Sequence, residues 1–151
     1  MQSDSGESVS TVSQDRQLLG LAARYLLDVV SQVAPVFEGD ILLGLTFATI
    51  VRGSVEHLEP KAAPLKVQGV FPDGVRRPVT IAAVARSLGL PRETARRYVH
   101  RLIAMNFCRP VGARGVIVPA EVIRSERFTQ IARSHSDALR DLCETVQRSG
   151  G

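Results

Sequence analysis

The sequence predicts a mainly α-helical fold with one small β-hairpin, and three observations carry that prediction. Apolar residues recur at helical spacing in five separate stretches. A single stretch, about 107–118, has two short apolar runs around a glycine-containing turn, as a hairpin does. Pro35, Pro78, Pro91 and Pro119 stand at the borders of the helical stretches. With 151 residues, 44% of them apolar and 23% charged, the chain fits one globular domain with helical extensions.

Residues 1–14 are rich in Ser, Asp, Glu and Gly, have little to bury, and are expected to form a disordered tail. From 15 to 33, Leu18, Leu19, Ala22, Tyr25, Leu26, Val29, Val30 and Val33 follow helical spacing, with Asp15 as the start. A second helix is expected over 38–58. It is apolar almost all round through Ile41, Leu42, Leu43, Leu45, Phe47, Ile50 and Val51, so several neighbours should cover it. These two helices make an N-terminal helical hairpin, and residues 15–75 read as a scaffold or dimerisation region. Within it, Pro60, Pro64, Gly69, Pro72 and Gly74, followed by Pro78, mark a long connection over 59–78 with a short extended piece near 67–71. That connection is a candidate contact for a partner or ligand.

The stretch from Thr80 to Leu102 reads TIAAVARSLGLPRETARRYVHRL. Thr80 suits a helix N-cap, and Ile81, Val84 and Leu88 give the helix an apolar stripe. Ala85 is small where a second helix must come close. Gly89, four residues on, fits a turn that needs a left-handed backbone, and Pro91 suits the first position of the next helix. This is helix-turn-helix spacing. On the second helix Ala95, Tyr98, Val99 and Leu102 share one arc, which leaves Arg92, Glu93, Arg96, Arg97, His100 and Arg101 on the other. Phe107 to Val111, a Gly112–Gly115 turn and Val116 to Val118 then read as a wing, with Arg109 on its approach and Arg114 at its tip. Residues 76–120 are thus expected to be a winged helix-turn-helix, followed by a long C-terminal helix over 121–148.

Charge agrees with that motif. Between Arg76 and Arg114 there are nine arginines against one acid, Glu93; this local balance of +8 leaves −4 elsewhere in a chain of net charge +4. A basic block in an otherwise acidic chain is the footprint of a nucleic-acid surface. Arginine can donate two parallel hydrogen bonds to guanine, and glutamate can accept from cytosine. The expected base- and phosphate-contacting set is Arg92, Glu93, Arg96, Arg97, His100, Arg101, Arg109 and Arg114.

The segment GLPRETARRYVHRLIAMNF with its short wing resembles the reading heads of bacterial winged helix-turn-helix transcriptional regulators. Arg92-Glu93-Thr94-Ala95-Arg96-Arg97 is similar to the R-E-T-x-x-R recognition helix of the cyclic-AMP receptor family. That resemblance implies base contacts from Arg92, Glu93 and Arg97. Pro91 departs from the serine usual there, and no cyclic-nucleotide β-roll precedes the motif. The overall helical plan is closer to MarR-like regulators, which dimerise through their terminal helices.

A homodimer is expected on the residues too. Phe128, Ala132, His135, Leu139, Leu142 and Val146 alternate four and three positions apart, a heptad seam that predicts a dimer interface in the C-terminal helix. The expected function is sequence-specific reading of double-stranded DNA to regulate transcription, with room for a small-molecule effector. The alternative is a non-catalytic winged-helix module that binds protein or RNA. The histidines are scattered and there is no phosphate loop or nucleophile elbow, so no enzyme is expected. Cys108 and Cys143 lie 35 positions apart outside any metal-spaced cluster, and neither a metal nor a cofactor is expected. The opening MQSDSGESVS lacks the pattern of a secretory signal, and the longest apolar run, 41–51, is too short for a bilayer. A cytoplasmic protein without membrane contact is the expectation.

Overall fold

The computed structural model describes residues 4–58 and 61–150. In chain order its elements are α1 (Asp4–Val33), α2 (Ile41–Gly53), β1 (Val79–Thr80), α3 (Ile81–Leu88), α4 (Arg92–Ala104), β2 (Arg109–Val111), β3 (Gly115–Ile117), α5 (Ala120–Ile123) and α6 (Glu126–Ser149). Met1 to Ser3 of the expected tail, and Glu59 and Pro60 of the expected connection, lie outside the described residues. The fold is mainly helical with a winged helix-turn-helix. The chain divides into two units, residues 34–130 and residues 1–33 with 131–151.

In the larger unit, Asp40 starts α2. Its backbone is extended and its carboxylate accepts a hydrogen bond from the Leu43 N–H at 3.2 Å, satisfying a donor that the helix leaves open. The helix is therefore shorter than expected at both ends. Leu43, Thr46, Phe47 and Ile50 form its buried stripe, and α3 and α4 pack against it. Ile41, Leu42 and Leu45 stay exposed, so α2 is covered on one side where the sequence suggested several.

Four phenylalanines lock this unit. Phe47 stacks on Phe128 with ring centroids 4.8 Å apart, Phe37 lies 5.3 Å from Phe47, and Phe107 meets Phe128 edge-on at 5.5 Å. Phe128, expected on an intersubunit seam, stands in the first turn of α6 and packs within the protomer against Phe37, Phe47 and Phe107. The helical stretch after Pro119 also starts differently from the expectation: short α5 ends at Ile123, and α6 begins at Glu126.

The connection before β1 is tied down rather than loose. Phe71 is buried, and the expected extended piece is reduced to a single bridge between Val67 and Val70. Arg76 has a side chain only 2% exposed. Its Nε donates to the Phe71 carbonyl at 3.0 Å and its Nη1 to Ser54 Oγ, just past α2, at 3.3 Å. Burial lowers its pKa, opposed by the charge of Asp73. Arg76 thus leaves the expected basic surface and becomes a core tie. β1 is a third strand that the sequence reading did not identify; it pairs with β3, giving the antiparallel order β1-β3-β2. A Cβ at Gly115 would collide with Pro78, so only glycine lets β3 lie this close to the chain entering β1.

In the smaller unit, α1 is grouped with the later part of α6 and not with α2. It is helical from Asp4, which overturns the expected tail over its described part. The physical reason is propagation: extending an existing helix adds one hydrogen bond per residue without a new nucleus, and residues 4–14 contain no proline. Leu21, Arg24, Tyr25 and Asp28 of α1 line one cleft with Ala138, Asp141, Leu142 and Thr145 of α6. The predicted heptad seam therefore splits. His135 and Leu142 are half-buried, while Ala132, Leu139 and Val146 are exposed. Burial lowers the pKa of His135, whose Nε2 has no hydrogen-bond partner among the described residues. On α1, Leu19, Leu26 and Leu27 are exposed by 70%, 59% and 69%. By length and composition alone, Ser8–Phe37 is also long and apolar enough to span a bilayer, unlike the shorter run at 41–51.

If the aromatic cluster holds the larger unit together, Phe47→Ala should lower unfolding stability by about 3–5 kcal/mol. Leu139→Ala, at an exposed position, should stay within about 0.5 kcal/mol. Chemical denaturation of the two variants checks this; equal effects would remove the cluster from its central role.

Candidate nucleic-acid interface

The helix-turn-helix is built as its residues dictate. The Thr80 hydroxyl accepts from the Ala83 N–H at 3.1 Å and starts α3. Gly89 ends α3 in the left-handed region, with φ 64° and ψ 31°, and the Leu90 N–H returns to the Ala85 carbonyl at 2.9 Å. Pro91 is extended and sits one residue ahead of α4, not at its first helical position. Ala95 is fully buried and Ala85 nearly so, which lets α3 and α4 pack closely. At the far end of α4, Asn106 takes a positive φ of 60° and the Phe107 N–H closes on the Leu102 carbonyl. This turns the chain into the wing.

Ala95, Val99 and Leu102 are the buried residues of α4, and Tyr98 is half-buried beside them. Arg92, Glu93, Arg96, Arg97, His100 and Arg101 all face outward. Arg114 is exposed in the wing turn between β2 and β3, where Gly112 has φ 67°. The eight residues expected at the interface are thus all exposed, but their electrostatic states differ.

Three of the arginines are already paired. Arg96 grips Glu93 with both ends of its fork, Nε to Oε2 at 3.0 Å and Nη2 to Oε1 at 2.8 Å. That hydrogen bond leads in holding the Glu93 carboxyl below its ordinary range, and the same bond leads in raising Arg96. Arg101 donates Nη1 to Asp40 Oδ2 at 2.6 Å and Nη2 to Glu38 Oε2 at 3.4 Å, which ties α4 to the turn preceding α2. Arg109 donates Nη2 to Asp73 Oδ2 at 3.0 Å, tying the wing to the connection before β1. Among the described residues Arg92, Arg97 and Arg114 have no ion pair or side-chain hydrogen bond, and the same holds for Arg77 and Arg86. Arg77 and Arg86 are exposed and belong to the basic block, outside the expected contact set. Glu38, Asp40 and Asp73 were missed altogether, because they lie 36 to 63 positions from the arginines they hold.

Residues 74–112 match the family model described as the IclR helix-turn-helix domain. The match covers about a quarter of the chain, from just ahead of β1 through α3 and α4 to the turn after β2. The family matched differs from the two that the sequence resembled, within the same class of reading head. No curated protein sequence and no solved structure matches the chain. A helix-turn-helix of this kind is a double-stranded DNA-binding element, and the chain is a DNA-binding transcription regulator.

The tie between α4 and Asp40 has a pH signature. Burial alone would raise the Asp40 carboxyl, but the hydrogen bond and charge of Arg101 and the Leu43 and Leu42 N–H groups together hold it below its ordinary value. A carboxyl depressed in the folded state stabilises above its unfolded pKa, and that contribution is lost as pH falls through the folded value. Asp40→Asn should therefore lower stability at neutral pH and flatten its decline below about pH 4. Thermal unfolding from pH 7 down to pH 2.5 reads this; parallel curves for the variant and the parent would deny Asp40 that role.

Proposed function

We propose that this protein reads a specific DNA sequence as a homodimer, with α4 in the major groove and the wing on the backbone or in the minor groove. The observation that carries the proposal is the outward face of α4, where Arg92 and Arg97 stand unpaired beside the Glu93–Arg96 fork. An unpaired arginine can meet a base edge without first breaking an internal pair. The similarity to the R-E-T-x-x-R helix supports Arg92, Glu93 and Arg97 as the base-reading residues. Arg96 and His100 then flank them, and Arg114 takes a phosphate or the minor groove. We place the protein in the cytoplasm of a bacterial cell, with its DNA.

The homodimer is supported by apolar surface that one copy leaves uncovered. Leu18, Leu19, Leu26 and Leu27 form an exposed band on α1, and a band of this kind marks an interaction surface. Arg24 and Asp28 interrupt the same helix, which favours a helical partner over a bilayer core. Leu142 faces α1 within the protomer, so the interface is assigned chiefly to α1, with Ala132, Leu139 and Val146 at its side.

Binding to selected duplexes tests the reading head. Arg97→Ala should relax preference at one base pair, at a cost of about 1–3 kcal/mol. Arg114→Ala should weaken binding to all sequences alike and reduce the slope of log affinity against log salt by about 0.9. A change of preferred sequence with Arg114→Ala, but none with Arg97→Ala, would reverse the two roles.

Replacing both Leu19 and Leu26 with Asp tests the dimer. Both side chains are exposed in one protomer, so the helical circular-dichroism signal should persist. Sedimentation should show a monomer, and affinity for a two-half-site operator should collapse because one head reads half a site. A variant that stays dimeric would move the interface to Ile41, Leu42 and Leu45 of α2.

A further inference from the structure

Asp73 lies at the meeting point of three segments. Its Oδ1 accepts a hydrogen bond from the Ala120 N–H, at the start of α5, at 2.7 Å. Its Oδ2 accepts from Arg109, the first residue of β2, at 3.0 Å. A second cation, Arg76, holds its Nε 3.9 Å from Oδ1. The two arginines are not equivalent: the Arg76 side chain is 2% exposed, and that of Arg109 is 55% exposed. Arg76 is fixed by Ser54 and the Phe71 carbonyl, whereas Asp73 is the single side-chain partner of Arg109 among the described residues.

We infer that Asp73 acts as an internal competitor for DNA phosphate at Arg109, keeping the wing's second cation neutralised until DNA displaces it. The inference rests on the DNA-reading assignment of the wing. A half-exposed ion pair contributes little to stability and can be exchanged readily. A phosphate oxygen offers Arg109 the same charge-assisted hydrogen bond that the carboxylate does. When Arg109 leaves, Asp73 is not stranded, because the Ala120 N–H and the Arg76 guanidinium still face Oδ1. Asp73 is thus a positioning residue: it acts on DNA through Arg109 and sets how many cations the wing presents. Arg114 at the tip has no such restraint, so the wing carries one free and one held charge.

The salt dependence of binding to a mixed-sequence synthetic duplex tests this on the full chain. Asp73→Asn keeps an oxygen for the Ala120 N–H and removes the charge that holds Arg109. It should tighten binding several-fold irrespective of sequence and leave the operator preference unchanged. Arg109→Gln alone should weaken binding and reduce the salt slope by about 0.9 per head, the signature of one lost phosphate contact. In the Arg109→Gln background, Asp73→Asn should have no further effect. Tightening that persists there would assign the effect to a general change of field and overturn the inference, as would an Arg109→Gln variant that binds like the parent. If Asp73→Asn fails to fold, by circular dichroism and thermal unfolding, Asp73→Ser, which keeps an oxygen on the side chain but no charge, takes its place in the same comparison. A parent that binds duplex with a steep salt slope while these variants coincide with it sinks this inference only. A parent with no salt-dependent binding sinks the DNA reading and the inference together.

Discussion

The packing of α2 onto α4 is the constraint on which the rest of the larger unit depends. A helix has one arc available to the core, and on α4 that arc is taken by Ala95, Val99 and Leu102, with Tyr98 at its edge. Once those residues are buried, 3.6-residue geometry leaves Arg92, Arg96, Arg97 and His100 no place but outside. The facing stripe of α2, Leu43 to Ile50, supplies the other wall, and Phe47 extends it into the phenylalanine cluster. The wing inherits its position from the same contact. Phe107 belongs to the cluster and immediately follows the turn at Asn106, so β2 leaves the core at a fixed point.

Around that apolar frame, the basic block proves to be several kinds of charge. Arg76 is interior, Arg96 is held by its own helix neighbour, and Arg101 and Arg109 are held by distant carboxylates. Such pairs are exposed, and each contributes little to stability. Their larger effect is on what the surface offers: a paired guanidinium exchanges one partner for another, while an unpaired one adds a new charge-assisted bond. Nine arginines in sequence thus become a block in which five cations, Arg77, Arg86, Arg92, Arg97 and Arg114, are unpaired among the described residues.

The smaller unit obeys a different limit. Where two helices meet, each can cover one face of the other, and α1 has apolar residues on more than one face. Leu21 and Tyr25 turn toward α6, which leaves Leu19, Leu26 and Leu27 in solvent. The same arithmetic explains the split seam of α6. Its 4-3 spacing marks an apolar stripe, but half-buried Phe128 joins the phenylalanine cluster of the larger unit, Leu142 lines the cleft with α1, and Leu139 stays in solvent.

Periodicity and turn chemistry by themselves determined the helix-turn-helix: Thr80, Gly89 and the apolar stripes of α3 and α4 act within a few residues of themselves, so local sequence is sufficient. The wing turn and the outward face of α4 were legible for the same reason. The third strand was not, because β1 has only two residues and exists through its pairing with β3. Nor was the extent of α1, since a polar N-terminal stretch reads as tail unless a long helix beside it propagates into it. Above all, the partners of Arg76, Arg101 and Arg109 were decided by tertiary structure. Ser54, Asp40 and Asp73 come from 22, 61 and 36 positions away, and an ion pair between exposed side chains leaves no periodic trace in the chain that forms it.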